Sequence, residues 1–135
     1  MENKFIEIFT GLQRDYGYAD INSAYKDPAT GKLKLKYGWA AKELLESDYL
    51  DHLTGKKSIG IQPCNDEGLA KFGAIDIDSD EYDNFDLRKY LEIIDKKNIP
   101  VVPVKSKSGG LHIYVFFKEP VKASYVRNFL DKLLF

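Results

Sequence analysis

Two segments alternate with a period of two: Ala74-Ile75-Asp76-Ile77-Asp78 and Leu111-His112-Ile113-Tyr114-Val115-Phe116-Phe117. That period suits a strand buried on one face and suits no helix. In the first segment Ile75 and Ile77 share one side while Asp76 and Asp78 share the other. In the second, Leu111, Ile113, Val115 and Phe117 oppose His112, Tyr114 and Phe116. A slip of one residue would bury the carboxylates, so the register is strongly constrained. With the isoleucine and leucine faces turned toward helices, His112 emerges on the same open face as Asp76 and Asp78.

The surrounding punctuation fits this sheet. Between the two strands, residues 84–97 read as a helix with Phe85, Leu87, Tyr90, Leu91, Ile93 and Ile94 on its apolar side. Asn84 is placed to cap it, and Asn98 before Ile99-Pro100 to stop it. A strand over 101–106, a glycine turn, the strand from Leu111 and a last helix from Ala123 complete the order β-α-β-β-α. This predicts an α/β (α+β) fold with an RRM-like palm sheet, helices on one face and an open face on the other. The first half reads as a small α/β module over 1–66, joined to the 67–135 core in a single domain. Phe5, Ile6, Ile8, Phe9 and Leu12 predict a short amphipathic helix that ends near Gly11 to Gly17. Asp27-Pro28-Ala29-Thr30-Gly31-Lys32 predicts a turn. Trp39, Ala40, Leu44, Leu45, Tyr49, Leu50 and Leu53 predict a helix across 39–53. Thr54-Gly55 ends it before a short strand over 58–63 interrupted by Pro63.

With 135 residues, 44% hydrophobic and 30% charged, the chain has the makeup of a globular domain with a real core. No apolar run approaches a membrane span, and the N-terminus is amphipathic rather than signal-like, so a cytoplasmic location and no membrane partner are expected. Cys64 is the only cysteine and His52 and His112 the only histidines. That excludes a disulfide framework and a four-ligand zinc site built from these residues, leaving oxygen as the favoured metal donor. The net charge of −1 conceals six acids within residues 76–86, so the remainder carries +5. That balance is compatible with a nucleic-acid partner without requiring one.

Strand geometry separates the Asp76 and Asp78 Cα atoms by about 6.6 Å. Carboxylates so spaced can converge on one hard cation or bridge two. Buried beside an apolar strand face, the pair would otherwise repel. The flanking Asp80, Glu81, Asp83 and Asp86 read as a solvated loop. An EF-hand loop shares the opening spacing but fails, because Glu81 stands at the sixth position and Leu87 at the twelfth. The run Ser106-Lys107-Ser108-Gly109-Gly110-Leu111-His112 combines hydroxyls, an ammonium and glycines that let amides approach an anion. It reads equally as a β-hairpin whose glycines supply positive φ. His112 could contact phosphate, ligate a metal or act as a general acid.

These residues resemble the archaeo-eukaryotic primase superfamily, especially the primase-polymerase domains of viral, plasmid and mobile-element replication proteins. Ala74-Ile75-Asp76-Ile77-Asp78 is similar to the superfamily's strand-borne Asp-x-Asp motif. Ser108-Gly109-Gly110-Leu111-His112 is similar to its nucleotide-binding motif. His52 to Gly55 and Ser58 to Ile61 are similar to the module that precedes them. The resemblance implies that Asp76 and Asp78 hold catalytic Mg²⁺ or Mn²⁺. It also implies that His112, with Ser106 or Ser108, binds the nucleotide's phosphates, assisted by Lys107 and the Gly109-Gly110 turn. The implied reaction is template-directed primer synthesis or DNA polymerisation from NTP or dNTP by a two-metal mechanism. Implied partners are a DNA template or primer and a downstream helicase or other replication domain, in a bacterial cytoplasm or a virus-infected host's. Tyr114 is placed to stack on a base or to pack. The family's third acidic motif is expected beyond Phe135, since Asp131 lies on a helix and reads as exposed. Two rivals remain open: a non-catalytic nucleotide- or nucleic-acid-binding module, and a metal-dependent nuclease.

Overall fold

The computed structural model describes residues 2–78, 86–106 and 109–133. They form an α+β structure of two compact units, Met1–Leu69 and Ala70–Phe135.

The first unit contains α1 (Glu2–Ile8), β1 (Tyr16–Lys26), β2 (Leu33–Ala40), α2 (Glu46–Leu53) and β3 (Ser58–Gly60). Its three strands are ordered β2-β1-β3, with β1 antiparallel to both neighbours. The expected turn at Asp27–Thr30 joins β1 to β2, Gly31 taking a φ of 67°. Two expectations are corrected. The helix expected from Trp39 begins at Glu46, because Trp39 and Ala40 end β2. Alternation of Lys32, Lys34 and Lys36 with Leu33, Leu35, Tyr37 and Trp39 is a strand period, and pairing with β1 outweighs the helical spacing shared by Trp39 and Leu44. The first helix ends at Ile8, short of the glycine at 11, which lies so close to the Gln62 carbonyl that a Cβ would meet its oxygen at 2.2 Å.

Buried Tyr16, Leu44 and Tyr49 form the core of this unit, with Phe5, Ile6, Ala40, Ile59 and Ile61 packed around them. A charged group is buried with them. Lys57 Nζ is hydrogen-bonded to Asp48 Oδ1 and lies 2.7 Å from Tyr16 Oη, while Asp48 Oδ2 accepts from the Leu45 amide at 2.9 Å. Burial raises the Asp48 carboxyl, but the Lys57 ammonium and the Leu45 amide outweigh it, so its pKa lies below the ordinary 3.8. The same partner, with the Tyr16 hydroxyl, raises Lys57.

The second unit follows the order read from the sequence: β4 (Leu69–Ile77), α3 (Leu87–Lys96), β5 (Val102–Lys105), β6 (Leu111–Lys122) and α4 (Ala123–Asp131). Its strand order is β4-β6-β5, so β6 is central. Ile75, Ile77, Leu111, Ile113 and Val115 form the buried sheet face, covered by Val126, Leu130 and Leu133. Gly73 allows α4 to approach, for a Cβ there would stand 2.5 Å from Val126 Cγ1. Asp86 caps α3, accepting from the Lys89 amide at 3.0 Å; Asn84, the expected cap, lies outside the described residues. Asn98 ends the helix in the left-handed region with φ 48°, and the Ile99 amide reaches back to the Ile94 carbonyl. Among the described residues no helix is long and apolar enough to cross a membrane.

Candidate nucleotide-binding site

The second unit's sheet positions its polar side chains by the alternation that builds its core. With Ile75 and Ile77 turned inward, Asp76 and Asp78 are exposed. With Leu111, Ile113 and Val115 inward, His112, Tyr114 and Phe116 occupy the opposite face of β6. The two sets meet across the strands: His112 Nε2 lies 3.1 Å from Asp76 Oδ1, the carboxylate side chain 67% exposed and the imidazole 35%. Phe72 and Phe116 rings lie 6.4 Å apart. Contacts from 72 to 116 and from 76 to 112 run in opposite directions along the chain, which is antiparallel pairing. Tyr114 stacks on Phe116 at 5.8 Å with 12° between planes, and His112 meets the Tyr114 ring edge-on at 6.1 Å. A row of rings therefore leads along the face to the Asp76–His112 pair. On the other side of β6, Val102 and Val104 stand opposite Tyr114 and His112 and extend the face as an apolar border.

The glycine turn closes one end of this face. It is a β-hairpin linking β5 to β6: the Ser106 amide donates to the Gly110 carbonyl at 2.9 Å and the Gly109 amide to the Ser106 carbonyl at 3.2 Å. Gly109 takes a φ of 94°, where a side chain is strained. Gly110 has a different reason to lack one, since a Cβ there would stand 2.2 Å from the Ile77 carbonyl oxygen and 3.3 Å from the Asp78 Cα. The second glycine thus lets the turn lie directly against the end of β4 that carries Asp78. The Ser106 and Gly109 amides are engaged within the turn, and the expected positive φ is found at Gly109 but not at Gly110. Of the residues expected to contact phosphate, Lys107 and Ser108 lie outside the described residues, as do Asp80, Glu81 and Asp83 of the acidic loop.

The structure thus brings together Asp76, His112 and, through the Gly110 contact, the Asp78 backbone. Among the described residues no group of three His, Cys, Asp or Glu side chains stands close enough to hold an ion. Asp131, the acid nearest the C-terminus, is exposed and pairs with Arg127 one turn earlier on α4. Two hard oxygen donors, both exposed and one in contact with an imidazole, fit a divalent cation that completes its shell with water and phosphate oxygens. Phe72 was missed as a neighbour of the site. Its parity with Asp76 along β4 is the signal that places it there.

A model of an archaeo-eukaryotic primase domain matches residues 13–135. Its description is "TOTE conflict system, Archaeo-Eukaryotic Primase domain", and the chain belongs to this family of primase-type nucleotidyltransferase domains. Domains of the family are typically metal-dependent, and membership implies nucleic acid and nucleotides as partners. No curated protein matches the chain.

Proposed function

We propose that this chain joins nucleotides on a nucleic-acid template, synthesising primers or extending strands from nucleoside triphosphates. The observation that carries the reading is the 3.1 Å approach of His112 to Asp76 on an exposed sheet face, beside a turn packed on the Asp78 backbone. Asp76 and Asp78 would hold Mg²⁺ or Mn²⁺, which when bound neutralises charge on the phosphoryl oxygens.

The chain's own groups do the rest. Pairing with Asp76 fixes the imidazole's orientation and leaves its Nδ1 side for a phosphate oxygen. Ser106 and the hairpin border the space where the triphosphate sits, with Lys107 and Ser108 as further donors. Tyr114 and Phe116 offer ring faces to a base or sugar. So held, the α-phosphorus receives a 3′-hydroxyl oxygen in line with its bond to the bridging oxygen. The new P–O bond forms, the bridging bond breaks, pyrophosphate leaves and the hydroxyl proton passes to solvent.

The test is template-dependent incorporation of labelled nucleotide with Mg²⁺ or Mn²⁺. Asp76→Asn with Asp78→Asn should reduce it by a factor of about 10³ or more while the circular dichroism spectrum is unchanged. Full synthesis by that double variant would overturn the assignment. Strand cleavage that needs no added nucleotide would replace it with a nuclease.

A further inference from the structure

The first unit carries a second surface suited to nucleic acid, built from different residues. Tyr37 and Trp39 on β2 are 80% and 56% exposed. Register puts Trp39 opposite Gly17, which pairs in turn with Gly60, and Tyr37 opposite Ala19, which pairs with Ser58. Two large rings therefore share a sheet face with two glycines, an alanine and a serine. The Trp39 indole lies against Gly17, whose added Cβ would be 3.1 Å from Cζ3. A cavity of about 300 Å³ opens here, with Tyr37 and Trp39 in its wall. Glycines in a strand interior weaken the sheet but let a flat ligand approach the backbone.

Charge indicates what would lie there. Residues 25–42 carry Lys26, Lys32, Lys34, Lys36 and Lys42 against the single acid Asp27. All five lysines are exposed, and Lys34 pairs with Asp27. β2 is the edge strand of its sheet, so Lys34 and Lys36, though they start from the face opposite the rings, can reach round an open border, and Lys32 and Lys42 flank the strand's two ends. Stacking faces beside an edge that carries ammonium groups are the two components that hold a single strand without reading its sequence.

We infer that the β1–β2 hairpin binds single-stranded nucleic acid, bases stacking on Trp39 and Tyr37 and phosphates lying beside Lys32, Lys36 and Lys42. The inference deepens the reading of the chain as template-directed but uses none of the residues of the nucleotide site.

Trp39 is the only tryptophan, so its emission reports this surface alone. Titration of the full chain with a short oligothymidylate should quench that emission saturably. Tyr37→Ala should weaken binding about tenfold or more, as should Trp39→Ala followed by anisotropy of a labelled strand. Lys32→Gln with Lys36→Gln should reduce the slope of log affinity against log salt by about 1.4, the value for two lost phosphate contacts on a single strand. Oligouridylate in parallel distinguishes RNA from DNA, and stronger binding of a blunt duplex would overturn the single-strand assignment. Asp76→Asn with Asp78→Asn should leave the quenching intact, so binding without synthesis defeats only the proposed catalysis. Synthesis with no quenching, or with quenching indifferent to Tyr37 and the two lysines, defeats only the hairpin surface. A blue shift with protein concentration alone, accompanied by dimers in sedimentation, would assign the rings to a second copy of the chain. Aggregation of the lysine variant with unchanged affinity would reduce the lysines to protection of an open edge.

Discussion

The two units each contain a three-stranded sheet, yet they are held together differently. In the second, nine buried residues form one apolar cluster between sheet and helices. In the first, the buried cluster has three members, two of them tyrosines, and a carboxylate and an ammonium are drawn in beside it. A sheet with one face committed to helices keeps the other face rigid, which suits a site that must hold Asp76 and His112 within 3.1 Å. A sheet with exposed rings and glycine-lined strands keeps less apolar burial in reserve and depends more on specific polar contacts.

The largest effect should come from the apolar unit. Ile113, near the start of the central strand β6, is fully buried, and Ile113→Ala should cost about 2–5 kcal/mol through lost transfer energy and the cavity left behind. Hydrogen exchange of β6 amides should register it, while denaturant unfolding followed through Trp39 emission should move far less. Equal shifts in both probes would mean that the units unfold as one and would break the comparison.

The same contrast explains how much the sequence revealed. β4 and β6 were legible because burial on one face imposes alternation; parity put His112 on the same face as Asp76 and Asp78. Asn98 with Ile99-Pro100 marked the end of α3 correctly because each acts locally. The first unit was misread where burial is weakest. β1 has no buried position after Tyr16, and its register with β2 shifts between Asp20 and Tyr25, so no clean period survives. β2 does alternate, but Trp39 and Ala40 also suit the spacing of the helix that follows. The Tyr16–Asp48–Lys57 cluster joins residues 32 and 41 positions apart, and nothing local in the sequence marks such a contact. Phe72 was likewise hidden, because its partner lies on another strand.

The second effect tests that cluster. Lys57→Met removes the ammonium and leaves Asp48 buried with the Leu45 amide and the Tyr16 hydroxyl, costing about 1.5–3 kcal/mol, the range for a hydrogen bond to a charged group. The pH dependence follows from the directions of the shifts. Asp48 in the folded chain lies below its ordinary 3.8, so its contribution is complete above that pH and is lost as pH falls through the lower folded value. Lys57 lies above its ordinary 10.5, so its contribution is present below that pH and fades as pH rises through the folded value. Chemical denaturation followed through Trp39 should show wild-type stability falling at both extremes. Lys57→Met should flatten both limbs. A variant as stable as the wild type, with the same pH profile, would remove the reason for separating the units.

The smallest effect compares one interaction in two settings. At the start of α2, Asp48 accepts from the Leu45 amide at 2.9 Å; at the start of α3, Asp86 accepts from the Lys89 amide at 3.0 Å. Both carboxylates satisfy an amide near a helix N-terminus, and both sit favourably against the helix dipole. Their surroundings differ, since Asp48 is buried and paired with Lys57 while Asp86 is exposed. Water can replace much of what an exposed cap supplies. Asp86→Ala should therefore cost about 1 kcal/mol, visible in hydrogen exchange of the first turn of α3 and nearly silent at Trp39. Asp48→Ala should cost more, because it also leaves Lys57 facing a tyrosine without its counter-ion. Matching losses for the two variants would show that capping alone accounts for Asp48, and that the half-buried Lys57 ammonium contributes nothing to the stability of the first unit.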